Sequence, residues 1–291
     1  MSNKKEVSNL RLYFIFTYLM FLVMLGLTGL LMSLKVPKII VDIMSNVAAW
    51  SPTFVLIILY KKLFPGVSIR DFLKISFGSE VKILDFFRAF IWQLLALVLI
   101  VGAYLVINEK PLNTLTFINL GSVFSVFVIT LTAGPMGEEL GWRGYALGVF
   151  QKRHSPLVSA LIVGVLWGFW HLPLWFITGF SGSDLFIYIF SFLLAIISTS
   201  VLITYFYNKS KNILIAIWIH FWFNFLLRIV NIDLLPLLLY TAIVYFLFVL
   251  VLLVTNKEVM MKEPKIVAGY STPDSGEPLS LTVASTTNKN I

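Results

Sequence analysis

Residues 12–34, LYFIFTYLMFLVMLGLTGLLMSL, form an apolar run that directly follows Arg11. An α-helix needs about 20 apolar residues to cross the hydrocarbon core of a bilayer, and this run supplies them. It is longer than the core of a signal peptide, and no A-x-A cleavage site follows it. We therefore interpret it as the first transmembrane helix.

The composition of the whole chain agrees with a membrane protein. Of its 291 residues, 59% are hydrophobic and 12% are charged, whereas soluble domains carry about 25% charged residues. The chain has no cysteine, which excludes disulfides, thiolate metal sites and a cysteine nucleophile. We attribute the net charge of +8 to basic cytoplasmic loops of a membrane protein rather than to binding of nucleic acid.

Apolar stretches of about 20 residues recur along the chain and predict an all-α fold, a polytopic bundle of about eight transmembrane helices. The fourth stretch is too long for one straight crossing and contains Gly134-Pro135, where proline removes a backbone donor. We expect the helix to break there. The eight predicted stretches are residues 12–34, 39–60, 82–107, 117–150, 157–178, 185–207, 212–231 and 235–256.

The basic residues predict the orientation. Lysine and arginine are concentrated in the loops that follow every second stretch. The loop with Lys35 and Lys38 is the one exception to this pattern. By the positive-inside rule, we expect a multi-pass protein of the cell membrane with both termini in the cytoplasm. Residues 1–256 form the transmembrane domain in this interpretation. Residues 257–291, rich in Ser, Thr, Pro and Asn, are predicted to be a disordered cytoplasmic tail.

Residues 134–144, GPMGEELGWRG, place three charges inside the fourth stretch. Ionisable groups are costly at this depth and usually mark a functional site. Glu139 and Arg143 are four residues apart and share a helix face, which favours an ion pair. Glu138 points about 140° away from Arg143 at 100° per residue. The spacing therefore predicts one paired carboxylate and a second, less restrained one.

Two further helices carry polar groups in i, i+4 pairs. WGFWH places Trp167 and His171 on one face, and HFWFN does the same for His220 and Asn224. Counted from the neighbouring basic loops, these groups and Glu138 lie at similar depths. We therefore predict one polar cavity in the inner half of the bilayer.

The chemistry of this set favours hydrolysis of a peptide bond. The sequence has no HExxH, no GxSxG and no phosphate-binding loop motif. A carboxylate with an imidazole can activate water, and a His with an Asn can stabilise an oxyanion. A zinc site formed by Glu138, His171 and His220 is an open alternative from the residues alone.

The order and spacing of the three motifs carry a family resemblance. EELGWR matches EExxxR, His171 ends an aromatic-xxxH motif, and HFWFN matches HxxxN. The region 130–225 thus resembles the core of the CPBP family of intramembrane proteases, which includes the CAAX prenyl proteases and the bacteriocin-processing (Abi) enzymes. A departure is Trp167, where the family often has Phe.

The resemblance implies a role for each matched position. Glu138 with His171 would activate the water, and His220 with Asn224 would form the oxyanion hole. Glu139, Arg143 and Trp167 would support the site. It also implies a glutamate mechanism without a metal, so we expect no cofactor.

The expected function is that of an intramembrane endopeptidase. Its expected partners are the lipid bilayer and a membrane-associated peptide or protein as substrate. Peptide maturation and bacteriocin self-immunity are both compatible roles. One alternative is a non-catalytic immunity protein that binds a bacteriocin. Another is a proton-coupled transporter, since such relays also use intramembrane Glu and His. The sequence shows no inverted repeat, which argues against the transporter.

Overall fold

The computed structural model describes residues 3–263, and helices make up most of this part of the chain. The all-α prediction is confirmed. A π-helical segment, Trp142–Leu147, joins two of the helices. In chain order the α-helices are α1 (Asn3–Ser33), α2 (Lys38–Ala48), α3 (Ser51–Ile58), α4 (Tyr60–Leu63), α5 (Ile69–Gly78), α6 (Ile83–Ile107), α7 (Val123–Thr132), α8 (Pro135–Gly141), α9 (Gly148–Gln151), α10 (Pro156–Trp170), α11 (Leu172–Trp175), α12 (Gly182–Ser210), α13 (Ile213–Ile229), α14 (Leu234–Thr255) and α15 (Lys257–Met261).

Fewer helices than the eight predicted are long enough to cross a membrane by themselves. Within residues 3–263, five helical segments are long and apolar enough to cross a membrane, namely α1, α6, the segment Leu120–Gln151, α12 and α14. Helices α2 and α3 reach that length only together and are bent by 57°. Helices α10 and α13 are apolar but shorter. A membrane bundle is confirmed, and the count of eight spans is not.

The predicted break in the fourth stretch is present. Helix α7 ends at Thr132 and α8 begins at Pro135, which cannot donate a backbone hydrogen bond. The last residue of α7 accepts hydrogen bonds from Asn46 of α2 and from Trp50, which directly precedes α3. The indole of Trp50 donates to the Thr132 carbonyl at 2.8 Å, and the Asn46 amide donates to the Thr132 hydroxyl at 2.7 Å. These contacts fix the position of Gly134.

The interior is formed around α12, which packs against α10 and α14. Glycines bring α10 and α12 close together, as small residues do in membrane helix pairs. A Cβ atom on Gly164 would lie 2.9 Å from the Cα of Ile197, and one on Gly168 would lie 2.6 Å from the Leu193 side chain. Helix α13 packs against α6, α8 and α12. The three helices that carry the polar motifs are thereby held side by side.

The predicted tail begins at residue 257, where the structure has the short helix α15. Its Met260 is fully buried, and the helix packs against α10 and α14. The helical bundle thus extends a few residues past 256. The rest of the predicted tail, from residue 264, lies outside the described residues.

Candidate active site

The two glutamates of α8 are buried, with relative exposures of 3% for Glu138 and 0% for Glu139. Arg143 follows one turn later and is also fully buried. Its Nη1 donates to Oε1 of Glu139 at 2.9 Å, so the predicted i, i+4 ion pair is present. Without this partner the Glu139 charge would be strongly destabilising, because a buried ion that loses its counter-ion costs several kcal/mol.

Glu139 has a second partner that helical spacing could not predict. Nδ1 of His220, on α13, lies 2.8 Å from the same Oε1 atom. A carboxylate that is ionised only accepts hydrogen bonds, so Nδ1 carries the proton in this contact. The ring is therefore held with its other nitrogen, Nε2, turned away from Glu139.

Glu138, which the sequence predicted to be the less restrained carboxylate, also has a hydrogen-bond partner. The indole Nε1 of Trp167 donates to its Oε2 atom at 2.5 Å. Trp167 lies on α10, so the contact joins two helices that are far apart in sequence. The helical wheel placed Glu138 correctly away from Arg143, but it could not show which side chain faces it from another helix.

Three polar atoms converge beside Gly134, at the break between α7 and α8. A Cβ atom on this glycine would lie 3.2 Å from Oε1 of Glu138, 3.5 Å from Nε2 of His220 and 3.6 Å from Nδ2 of Asn224. Because glycine has no side chain, these three polar groups can approach one another beside its backbone. Sequence reasoning identified Gly134 as a helix break and missed its place in the wall of the site.

His171 directly follows α10 and is linked to the rest of the site through Trp167. Its Nδ1 lies 2.9 Å from the Trp167 carbonyl oxygen, which only accepts, so Nδ1 is the protonated nitrogen. The ring packs at right angles to Trp170, with centroids 4.7 Å apart, and against Phe192. No hydrogen bond joins His171 to Glu138 in residues 3–263. The structure thus joins both predicted partners to the same tryptophan, with no hydrogen bond between the two in the described residues.

Aromatic and cationic groups pack closely behind the carboxylates. The Arg143 guanidinium lies 4.5 Å from the centroid of the Trp167 ring, a cation–π arrangement. His220 meets the same indole edge-on, with centroids 4.9 Å apart. Nε and Nη2 of Arg143 have no hydrogen-bond partner within the described chain. The indole face is therefore one of the few groups that stabilise this buried cation.

The zinc alternative needs Glu138, His171 and His220 in one coordination sphere. Over residues 3–263, no group of three His, Asp or Glu side chains is placed so that it could hold a metal ion. In the structure, the ring of His220 is bound to Glu139, and His171 is bound to the main chain.

All seven predicted site residues lie between positions 138 and 224, and this region has known relatives. Residues 119–226 match the family model described as type II CAAX prenyl endopeptidase Rce1-like. The resemblance to the CPBP and CAAX protease family is confirmed. A curated relative, CAAX prenyl protease 2 of Methanococcus maripaludis, is 37% identical over 92 residues, which is 30% of this chain and 34% of that protein. The match thus spans about a third of the length of the curated relative.

Proposed function

We propose that this chain is an intramembrane endopeptidase that hydrolyses peptide bonds of membrane-associated peptides or proteins. The observation that carries the proposal is the convergence of Glu138 Oε1, His220 Nε2 and Asn224 Nδ2 around the space beside Gly134. A carboxylate can act as general base, and an imidazole and an amide can donate hydrogen bonds to an oxyanion, in the hydrolysis of an amide. The match of this region to CAAX prenyl endopeptidases supports the same reaction.

In the proposed reaction, a water molecule occupies the space beside Gly134 and donates a hydrogen bond to Oε1 of Glu138. As the water oxygen attacks the carbonyl carbon of the substrate, its proton passes to Glu138. The proton then goes to the nitrogen of the leaving peptide, and the C–N bond breaks. We assign His171 to the same step, because its Nδ1 is bound to a carbonyl and its Nε2 is left as an acceptor.

The tetrahedral oxyanion needs hydrogen-bond donors. The Nδ2 amide of Asn224 is a donor in every state. His220 donates from Nε2 when both ring nitrogens carry a proton, while its Nδ1–H stays on Glu139. Glu139 and Arg143 act here as positioning residues, because they hold the ring and do not face the space.

The test uses the purified full chain in lipid nanodiscs. One probe is a fluorescence-quenched peptide that ends in the C-a-a-X sequence, in which a farnesylated cysteine is followed by three residues. A second is a bacterial membrane fraction, in which new peptide termini are identified by mass spectrometry. We expect Glu138→Gln to lower the rate of cleavage by about 10²- to 10⁴-fold, since it removes the general base and keeps the side-chain volume.

Glu80→Gln is the matched control, because Glu80 is exposed and lies outside the site. It should cleave at the rate of the unmodified chain. The proposal is wrong if cleavage of both probes is the same with and without the Glu138 carboxylate. A bacteriocin-binding protein would keep its protective phenotype in the Glu138→Gln variant.

A further inference from the structure

Trp167 contacts more of the candidate site than any of the residues to which the motifs assign a chemical role. Its indole N–H is bound to Glu138, its ring faces Arg143 and His220, and its carbonyl oxygen is bound to His171. It is 1% exposed, so these contacts are made in a fully packed environment. The side chain is therefore placed to control several of the reacting groups at once.

The hydrogen bond from Trp167 gives the two carboxylate oxygens of Glu138 different surroundings. Oε2 accepts from the indole at 2.5 Å, and Oε1 faces the space beside Gly134. Within residues 3–263, the indole is the sole side chain that donates to this carboxylate. Rotation of the Glu138 carboxylate would exchange the two oxygens or aim both away from the space. The indole N–H prevents this, because moving Oε2 would break a hydrogen bond to a charged group.

We propose that the Trp167 indole N–H is the positioning group that aims Glu138 Oε1 at the attacking water. The inference rests on the proposed function and adds to it a residue that acts through Glu138 rather than on the substrate. A phenylalanine at this position would fill most of the same volume and keep a ring face for Arg143. It would lack the N–H, so a chain with tryptophan here holds its carboxylate by a contact that a phenylalanine cannot make.

The decisive variant is Trp167→Phe, measured with the farnesylated quenched peptide on the full chain in nanodiscs. We expect kcat to fall by about 10- to 100-fold, the range for losing a hydrogen bond to a charged group. KM should stay within about twofold, because the indole contacts Oε2 and not the oxygen that faces the substrate. A merely structural role would lower the yield and thermal stability of the protein and leave kcat per folded molecule unchanged.

Trp142→Phe is the matched control. Trp142 is also fully buried, and its Nε1 has no hydrogen-bond partner in the described part of the chain. This variant loses the same atoms from a comparable environment without touching Glu138, so its kcat should equal that of the unmodified chain. A second variant replaces Trp167 with 3-benzothienylalanine, which keeps the bicyclic shape and has sulfur in place of N–H. It should reproduce the fall in kcat even if Trp167→Phe packs poorly.

The outcomes separate this inference from the proposed function. If Glu138→Gln is inactive and both Trp167 variants keep the kcat of the unmodified chain, the positioning role is refuted and the peptidase remains. If Glu138→Gln itself cleaves normally, the proposed function has failed, whatever the tryptophan variants do. A loss of kcat in both Trp167 variants, with Trp142→Phe unaffected, supports the positioning role.

Discussion

Gly134→Ala tests the position of the attacking water directly. The added methyl carbon would lie 3.2 Å from Glu138 Oε1 and 3.5 to 3.6 Å from the nitrogens of His220 and Asn224. A water molecule bound to Oε1 needs its oxygen about 2.7 to 2.8 Å from that atom. The methyl group and such a water would approach Oε1 from the same side, so we expect the methyl group to displace the water.

The same distances predict only mild steric contacts for the added methyl group. The closest contact is with the end of a side chain that can move by a few tenths of an ångström, and the other two are ordinary van der Waals contacts. We expect the free energy of unfolding to fall by no more than about 3 kcal/mol, the usual range for a single substitution. We expect kcat to fall at least about 100-fold, or about 2.7 kcal/mol in the activation free energy.

The assay combines cleavage of the farnesylated peptide with thermal unfolding of the same preparation. Gly148→Ala is the control for a glycine change, because no atom outside its own stretch of helix lies within 4 Å of the Cβ position there. Gly137→Ala is the opposite control, since its Cβ would lie 2.7 Å from the Trp50 ring and should destabilise the fold. A Gly134→Ala protein that is folded and fully active would refute the placement of the water.

Three further predictions concern the surrounding groups. Asn224→Ala should lower kcat by about 10²- to 10³-fold, the cost of removing one oxyanion donor, with little change in KM. A variant with a raised KM and an unchanged kcat would contradict this role. Arg143→Met should lower the free energy of unfolding by about 3 to 5 kcal/mol because it leaves Glu139 buried without its counter-ion, and adding Glu139→Gln should restore part of the loss in chemical unfolding. Gly164→Ala should cost about 1 to 3 kcal/mol, because the new methyl group meets the backbone of α12 at 2.9 Å, whereas Gly148→Ala should be neutral in the same thermal scans.

Local features of the fold could be predicted because they depend on spacing along one helix. The long apolar runs predict helices, since a backbone in hydrocarbon must satisfy its own hydrogen bonds. Proline at 135 predicts the end of α7, and the four-residue spacing of Glu139 and Arg143 predicts their ion pair. The number of straight crossings was not predictable in this way. Hydropathy does not reveal that α2 and α3 are bent by 57° or that α13 is short.

The site was only partly predictable for the same reason. Sequence spacing places His220 and Asn224 on one face, and the structure brings both to Gly134. It cannot show that His220 meets Glu139, 81 positions earlier, or that Trp167 binds Glu138, 29 positions earlier. Both contacts run between helices, so they depend on how α8, α10 and α13 pack and not on the period of any one of them.

The sequence by itself determined which residues are polar in an apolar chain, which helix each lies on, and which motifs resemble a known family. Only the tertiary structure decided which groups from other helices each glutamate contacts. Glu139 binds Arg143 and His220, and Glu138 binds Trp167 through one oxygen and faces the space beside Gly134 with the other. The physical reason is that a buried carboxylate must be satisfied by donors, and in this bundle most of those donors come from other helices.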